Sequence, residues 1–340
     1  MKKVRFGIVG TNFISDWIIE GARQDSRFEL VAIYSRSQQT AKLFAEKHNI
    51  LLTFTSLEEM ARSSEIDAVY IASPNALHAS QSIMFMEHKK HVLCEKPLAS
   101  NANECRLMID SAKRNEVTLM EAMKPTLTPN FRAVLTNIKE IGKINHYFAS
   151  FCQYSSRYEK YKNGISVNAF DPALSNGAIM DIGVYTIYPM VVLFGKPIEI
   201  KSLGVLLSTG TDGSGTVNFK FSNGLTATII YSKISDSTLS TEIQGNRGNI
   251  IIDKISSINK VELLTIGDVV VGKGRLSDSK TISIKQDYNE YFYEVNEFIN
   301  LIENKQSESE INSLQNSLIT MEIIDEIRKQ LGVVFPADNY

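Results

Sequence analysis

The chain has 340 residues, 43% of them hydrophobic and 22% charged, with 36 Lys and Arg against 38 Asp and Glu for a formal net charge of -2. Its length exceeds the roughly 250 to 300 residues at which one hydrophobic core stops growing, so two domains with a cleft for an active site are expected, and the composition excludes extensive disorder. The near-neutral charge excludes a global field steering the chain to nucleic acid or an anionic membrane, and leaves small-molecule chemistry.

Cys94, Cys105 and Cys152 lie far apart, which gives neither a disulfide framework nor metal-ligand spacing. No metal is expected, and a reducing cytoplasm fits. The opening MKKVRFGIVG carries basic residues before an apolar stretch too short for a signal peptide, and reads instead as a strand ending at a Gly turn. No segment reads as long enough to span a membrane.

In chain order, short β-rich apolar runs at residues 4–9, 28–34, 68–72, 91–94 and 117–120 alternate with helical apolar spacing over 13–23, 38–48, 76–88 and 102–115. This rhythm predicts βαβ units around a parallel sheet. After Pro125 the texture changes. Residues 131–141 read as a helix and strands dominate from Ile144, with Val217, Phe219 and Phe221 alternating with Asn218 and Lys220 as in a sheet with one buried face. Asn223-Gly224 predicts a two-residue type I′ hairpin, and Gly245-Asn246-Arg247-Gly248 a second turn. Two helices, 290–302 and 309–331, close the chain, the latter stopped by Gly332 and Pro336. The expected fold class is α/β: a doubly wound parallel sheet of Rossmann type over residues 1–123, then an α+β domain over 124–340 with an open, mostly antiparallel sheet.

Gly7-Ile8-Val9-Gly10-Thr11-Asn12-Phe13-Ile14-Ser15 lies where the first strand meets the first helix, the place where helix amides and dipole hold a pyrophosphate. Read as G-x-G-x-x-G, the glycine positions hold Gly10, Asn12 and Ser15. Asn tolerates a left-handed backbone and Ser is small enough for helix–strand packing, so Gly10, Thr11, Asn12, Phe13 and Ile14 remain candidates for dinucleotide contact. On the loop alone, an ordinary βα turn is the alternative. The second strand, at Ile33-Tyr34, runs into Ser35-Arg36 with no carboxylate to hold a ribose 2′-hydroxyl. These two side chains can hydrogen-bond a 2′-phosphate, and a charge-assisted bond of about 1.5 to 3 kcal/mol corresponds to roughly 10- to 150-fold preference for NADP. Arg36 stacked on adenine or lying in solvent keeps NAD open.

Three further motifs stand together: Ser73-Pro74-Asn75 followed by His78, then His91-Val92-Leu93-Cys94-Glu95-Lys96-Pro97, and Gly177-Ala178-Ile179-Met180-Asp181-Ile182-Gly183-Val184-Tyr185. They resemble the Gfo/Idh/MocA oxidoreductase family, the relatives of glucose-fructose oxidoreductase and inositol dehydrogenase, and most closely its dihydrodiol dehydrogenase-like branch. The likeness spans nearly the whole chain. It implies that Lys96 lies beside the nicotinamide and the substrate. Independently, Lys96 follows a parallel strand at its carboxyl end, where open α/β sheets bind ligands, and partial desolvation there suits a lysine to proton transfer. The resemblance also implies catalytic roles for Asp181 and Tyr185, which four-residue spacing puts on one face of a helix; a helix cap and a packed aromatic are the alternatives. Tyr185 in place of His weighs against inositol and glucose dehydrogenases. Asn75 and His78 resemble a nucleotide-lining motif, with a turn former and a helix cap as alternatives. Glu95 resembles a residue near the nicotinamide ribose, and Lys124 a residue that faces the cleft, with a surface salt bridge as the alternative. Pro97 raises the expectation of a cis peptide.

The expected activity is hydride transfer between a nicotinamide, NADP favoured over NAD, and a carbinol or carbonyl carbon of a sugar-like or cyclic polyol substrate. Lys96 and Tyr185 would move the hydroxyl proton, and Lys96, Lys124, Asp181 and Tyr185 would contact substrate. A catalytically silent NAD(P)-sensing regulator is the alternative, and an enzyme that never releases its cofactor is a third. The open sheet of the second domain predicts a homodimer or homotetramer.

Overall fold

The computed structural model describes residues 3–270 and 274–339; Met1 and Lys2 of the opening stretch lie outside them. Six strands, β1 (Val4–Val9), β2 (Phe28–Tyr34), β3 (Leu52–Phe54), β4 (Ala68–Ile71), β5 (His91–Glu95) and β6 (Leu119–Ala122), form one parallel sheet in the order β3-β2-β1-β4-β5-β6. This is the strand order of a Rossmann sheet, with its direction of growth reversing between β1 and β4. The crossover helices are α1 (Phe13–Ala22), α2 (Gln38–His48), α3 (Leu57–Arg62), α4 (His78–Glu87) and α5 (Ala102–Asn115). Asn12, Ser37, Ser56 and Asn101 begin four of them, each side chain accepting a first-turn amide that the helix itself leaves unbonded. β3 and α3 were absent from the sequence pattern: three residues cannot express an alternation, and six express less than two helical turns.

The second sheet has eight strands, β7 (Ile144–Cys152), β8 (Glu199–Leu206), β9 (Asp212–Lys220), β10 (Thr226–Ser232), β11 (Thr241–Gly245), β12 (Gly248–Ile252), β13 (Val261–Val270) and β14 (Gly274–Thr281), in the order β14-β13-β12-β11-β7-β10-β9-β8. β10 runs parallel to β7 and the remaining neighbours are antiparallel, so the sheet is mixed but mostly antiparallel. With it come α6 (Pro129–Asn137), extended by a tighter turn over Ile138–Ile141, α7 (Tyr158–Lys162) and α8 (Val184–Phe194). α8 packs on β7 and β10. Its Ile187, Tyr188, Met190 and Val191 are buried together with Tyr147, Val217, Phe219, Ile229 and Ile243, each apolar side chain contributing about 1.5 to 3 kcal/mol by leaving water. The other face is open and carries exposed Leu203 and Val205.

Two local expectations are corrected. The Asn223-Gly224 hairpin is not type I′, because only Gly224 has positive φ (87°) and not Asn223. Gly224 N donates to Phe221 O at 3.1 Å and Phe221 N to Leu225 O at 2.9 Å, which makes a three-residue loop closed by the left-handed Gly. The last helix, α10, begins at Leu314 rather than Ser309, where the Ser309 hydroxyl instead accepts the amides of Ile311 and Asn312 to turn the chain. α9 spans Glu290–Glu303. One stretch, Pro172–Phe194, is long and apolar enough to cross a membrane by length and composition, contrary to the sequence reading, but 72% of that window is buried inside the fold.

The chain divides into two compact units, Met1–Lys124 with Tyr288–Met321, and Pro125–Asp287 with Glu322–Tyr340. Residues 288–321 therefore group with the parallel sheet. α9 lies along α1, and Arg27 ties the two by bonds to Asp25, to Asn300 at 2.8 Å and to Glu303 at 2.6 Å.

Candidate active site

In the first unit, the candidate site residues cluster at the carboxyl ends of the strands, with Phe13, Ile14 and His78 at the starts of the helices that follow. The Gly10 loop follows β1, Ser35-Arg36 follows β2, Ser73-Pro74-Asn75 follows β4, Glu95-Lys96 ends β5, and Lys124 follows β6. This is the edge at which open α/β sheets bind ligands, and the β1/β4 reversal marks its centre.

The loop is shaped by Gly10, whose φ of 120° disfavours a side chain; an added Cβ would stand 2.7 Å from Ala72 O. Asn12 is not left-handed (φ −91°), so its value lies elsewhere. Its Oδ1 accepts the amides of Ile14 and Ser15, and its Nδ2 donates to Ala72 O at 2.9 Å. The second fingerprint position has thus become a helix cap that also ties the loop to β4. Ser15 at the third position is fully buried and donates to Gly10 O at 2.9 Å. Thr11, Asn12, Phe13 and Ile14 remain at the surface or half-buried around the helix start, and Ser73 Oγ is buried without a partner among the described residues. A Gly cradle, a helix N-terminus and an orphaned hydroxyl along one strand edge fit a dinucleotide. Arg36 is exposed beside Ser35, as a partner for a 2′-phosphate requires.

Asn75 opens a short tight turn, and His78 is fully buried. His78 Nδ1 lies 2.9 Å from Pro97 O and Nε2 2.9 Å from Ser73 O, so the ring ties the turn after β4 to the turn after β5. Burial, with Lys96 nearby, holds the imidazole below its ordinary pKa. The Lys96-Pro97 peptide is cis.

Glu95 and Lys96 are half-buried. The Tyr70 hydroxyl donates to Glu95 Oε1, and Lys96 N donates to Glu95 Oε2 at 3.2 Å. Burial pushes the Glu95 carboxyl up, opposed by Lys96, Tyr70 and Lys124. Beneath it, on α9, Glu294 is fully buried with both carboxyl oxygens unpartnered among the described residues, and burial and Glu95 raise it well above the carboxylate range. Lys124 is buried, bonded to Glu290 and 5.0 Å from the centre of the Tyr291 ring. Glu290, Tyr291 and Glu294 gave no sequence signal beyond the helix pattern of α9.

Glu121 of β6 accepts Leu98 N at 3.0 Å, and burial pushes its carboxyl from 4.5 up to about 7. A raised acid favours the folded state while protonated, so this contribution is full below about pH 4.5 and is lost as pH rises through about 7, a change of roughly 3 kcal/mol. Glu121→Gln is expected to flatten that part of the pH dependence while keeping the bond to Leu98. Urea unfolding at pH 5 and pH 8 checks it, and an unaltered pH dependence in the variant would refute it.

In the second unit the Gly177–Tyr185 motif is not one α-helix. Ile179–Gly183 is a π-helical turn that leads into α8, so Asp181 and Tyr185 belong to different helical geometries. Asp181 does not cap this turn; buried Asp212 does, Oδ2 accepting Ile179 N at 2.7 Å. Gly177 (φ 154°) makes room for it, since a Cβ there would lie 2.3 Å from Asp212 Oδ1. Burial pushes Asp212 up to about 6, against the pull of amides of the turn and the Tyr231 hydroxyl. Lys233, immediately after β10, donates to Asp181 Oδ2, and Tyr185 packs edge-on to Phe151 at 5.6 Å. Pro189 denies Tyr185 O its i+4 amide, and at the next residue the Tyr147 hydroxyl donates to Thr186 O at 3.1 Å. Asp212 and Lys233 were missed because nothing near them in sequence belongs to a motif. Among the described residues no His, Cys, Asp and Glu cluster could hold a metal.

Residues 4–123 match an oxidoreductase family with an NAD-binding Rossmann fold, and residues 134–251 match the GFO/IDH/MocA C-terminal domain. The chain is 49% identical over 336 residues, 99% of each protein, to scyllo-inositol 2-dehydrogenase (NADP(+)) IolU of Bacillus subtilis. It is 29% identical over 342 residues, again 99% of each, to trans-1,2-dihydrobenzene-1,2-diol dehydrogenase of Danio rerio. The first of these is named for an inositol, the substrate class that Tyr185 in place of His weighed against in the sequence. The fold matches that of KijD10, a 3-ketoreductase from Actinomadura kijaniata in complex with NADP and TDP-benzene, with a TM-score of 0.82 at 20% identity, covering 97% of this chain and 98% of that one. With both domain models matched and a relative at 49% identity end to end, the chain belongs to the GFO/IDH/MocA oxidoreductase family.

Proposed function

We propose that the protein is an NADP-dependent dehydrogenase that exchanges a hydride with the carbinol or carbonyl carbon of a cyclic polyol or sugar, with scyllo-inositol as the first substrate to test. The observation that carries this is the Gly10 cradle, Ser35-Arg36 and Lys96 along one strand edge, in a chain 49% identical to a relative named as an NADP-dependent scyllo-inositol dehydrogenase. A bound nicotinamide supplies the hydride acceptor or donor. The residues from Gly10 to Ile14 hold its pyrophosphate, Ser35 and Arg36 its 2′-phosphate, and Ser73, Pro74, Asn75 and Glu95 line it, with His78 fixing the turns behind. Lys96 Nζ takes the hydroxyl proton when the alcohol is oxidised and returns it in the reverse direction, with the Tyr185 hydroxyl sharing that proton. Asp181 accepts a hydrogen bond from a substrate hydroxyl, and Lys124 keeps the cationic side of the site in place through Glu290.

The unit of residues 1–124 with 288–321, rather than residues 1–123 alone, is on this reading the cofactor domain, and the unit of residues 125–287 with 322–340 the substrate and oligomerisation domain. A homodimer or homotetramer would cover the open face that carries Leu203 and Val205. That Cys94, Cys105 and Cys152 form no disulfide with one another suits a cytoplasmic enzyme. Nothing favours a silent nucleotide sensor: Lys96, Asp181 and Tyr185 are all present, and the relatives above are named as enzymes.

The test is reduction of NADP+ and NAD+ by purified protein across scyllo-inositol, other inositols and aldoses. Turnover of a cyclic polyol at least about 10-fold faster with NADP+ is expected, and Arg36→Ala should close most of that gap. Binding of NADPH with no turnover across the panel would sink the assignment.

A further inference from the structure

Asp212, the first residue of β9, places a fully buried carboxyl group at the start of a turn that needs only a hydrogen-bond acceptor. Elsewhere the chain meets that need without charge. α1, α2, α3, α5, α6 and α9 begin at Asn12, Ser37, Ser56, Asn101, Thr128 and Asn289, whose side chains accept first-turn amides. A buried charge costs far more than a buried amide or hydroxyl, so an acid at this place points to a task beyond capping. The space around it is cut to fit. A Cβ on Gly177 would stand 2.3 Å from Asp212 Oδ1, and one on Gly183 would stand 2.7 Å from Ile179 Cδ1 and 3.2 Å from the Tyr231 ring. Lys233 N donates to Gly213 O at 2.8 Å, which fixes the end of β9 that carries Asp212.

Ile179–Gly183 is a turn of i to i+5 bonds, one residue wider than the α-helix into which it runs, so the angle between Asp181 inside it and Tyr185 beyond it depends on that width being kept. Such turns are rare and short, and this one is held at the amides of Ala178 and Ile179 by Asp212. The Ile179 N to Oδ2 distance of 2.7 Å lies at the short end of the amide range, as for a bond to an ion. We propose that Asp212 is a positioning residue for the reaction, whose ionised carboxylate holds the π-helical turn in the geometry that presents Asp181 and Tyr185 to the substrate together. This rests on the assignment of those two residues to the substrate site. Burial moves the Asp212 carboxyl from 3.8 up to about 6, so the folded protein favours its neutral form and gives up stability as pH rises through about 6 to carry the charge. Facing it are the turn amides, the Tyr231 hydroxyl on β10, itself pushed well above its ordinary value by burial and by Asp212, and, at the same strand end, the ion pair of Lys233 with Asp181; Leu206, opposite on β8, is apolar.

The experiment compares full-length wild type with Asp212→Asn, which keeps the shape and the acceptor but not the charge. The readouts are kcat and KM for scyllo-inositol with NADP+ at pH 5 and pH 8, thermal unfolding, NADPH binding and hydrogen exchange of residues 176–185. At pH 8 the variant is expected to lose about 10- to 100-fold in kcat/KM, the loss that follows a misplacement near 1 Å, and to exchange the segment about 10-fold faster. It should melt no lower than wild type, because a buried charge is removed, and bind NADPH as tightly. At pH 5, where the wild-type carboxyl is itself neutral, the two proteins should agree within about threefold in every readout. If the variant matches wild type in turnover or in exchange at pH 8, or if its loss is the same at both pH values, the inference fails and the site assignment stands. If melting temperature and NADPH binding fall together with activity, the role of Asp212 is structural and the inference is overturned. Asp181→Asn and Tyr185→Phe test the reading beneath it: if both leave kcat and KM intact, the site assignment fails, whatever Asp212→Asn does. Wild type that turns over no polyol fails the functional reading and the inference with it.

Discussion

Lys96→Ala is expected to lower kcat by roughly two to four orders of magnitude, the range lost when a positioned proton-transfer group is removed, while the protein folds and still binds NADPH. The ground for both halves is local. The Lys96 amide, not its side chain, bonds Glu95 Oε2, and the Tyr70 hydroxyl holds Glu95 Oε1, so the turn survives truncation at Cβ. The side chain removed is the cation that most opposes the rise of Glu95, so Glu95 would be pushed further up and be less able to act as a base in its place. Lys96→Arg keeps the charge, but a guanidinium does not give up its proton, and the variant is expected to be nearly as slow. Steady-state kinetics with scyllo-inositol and NADP+, with NADPH fluorescence as the binding control, decide it; turnover within about threefold of wild type would remove Lys96 from the proton path.

Gly10→Ala is expected to weaken NADPH binding by at least about 10-fold and to lower the unfolding temperature by several degrees. A backbone φ of 120° at a residue with a side chain costs about 1 to 3 kcal/mol. The added Cβ also meets Ala72 O at 2.7 Å, and that carbonyl already holds Asn12 Nδ2. Ala72 directly follows β4 and its amide is bonded to Val9 O at 2.9 Å, so this backbone does not retreat readily; the loop must lift, and the Asn12 bridge that shapes it is lost. Isothermal calorimetry with NADPH and a thermal melt check the two halves separately. Unchanged affinity would mean that the pyrophosphate does not lie on this loop.

Much of this was legible along the chain. The βαβ rhythm, the change of texture after Pro125 and the family motifs specify a parallel sheet followed by a mostly antiparallel one, because side-chain periodicity and turn residues are local properties. Lys96 was legible for the same reason, standing at the end of an apolar strand run and before Pro97. Asn12 was seen as a blurred glycine, yet its bond to Ala72 joins residues 60 positions apart that only folding brings within reach.

The sequence by itself determined the fold class, the family and the candidates whose motifs are contiguous: Gly10, Ser35-Arg36, Ser73-Pro74-Asn75, Glu95-Lys96 and Asp181 with Tyr185. Tertiary structure alone decided what stands behind them. Residues 288–321 joined the first unit because α9 needed an apolar and ion-paired surface along α1, and that brought Glu290 to Lys124 and buried Glu294 near Glu95. The π-helical turn, Asp212 beneath it and Lys233 against Asp181 arise where β9 and β10 pair, so they join residues 33 and 52 positions apart. A buried charge is tolerated only where the fold supplies its partner, and which residue becomes that partner is settled by strand register, which no local pattern encodes.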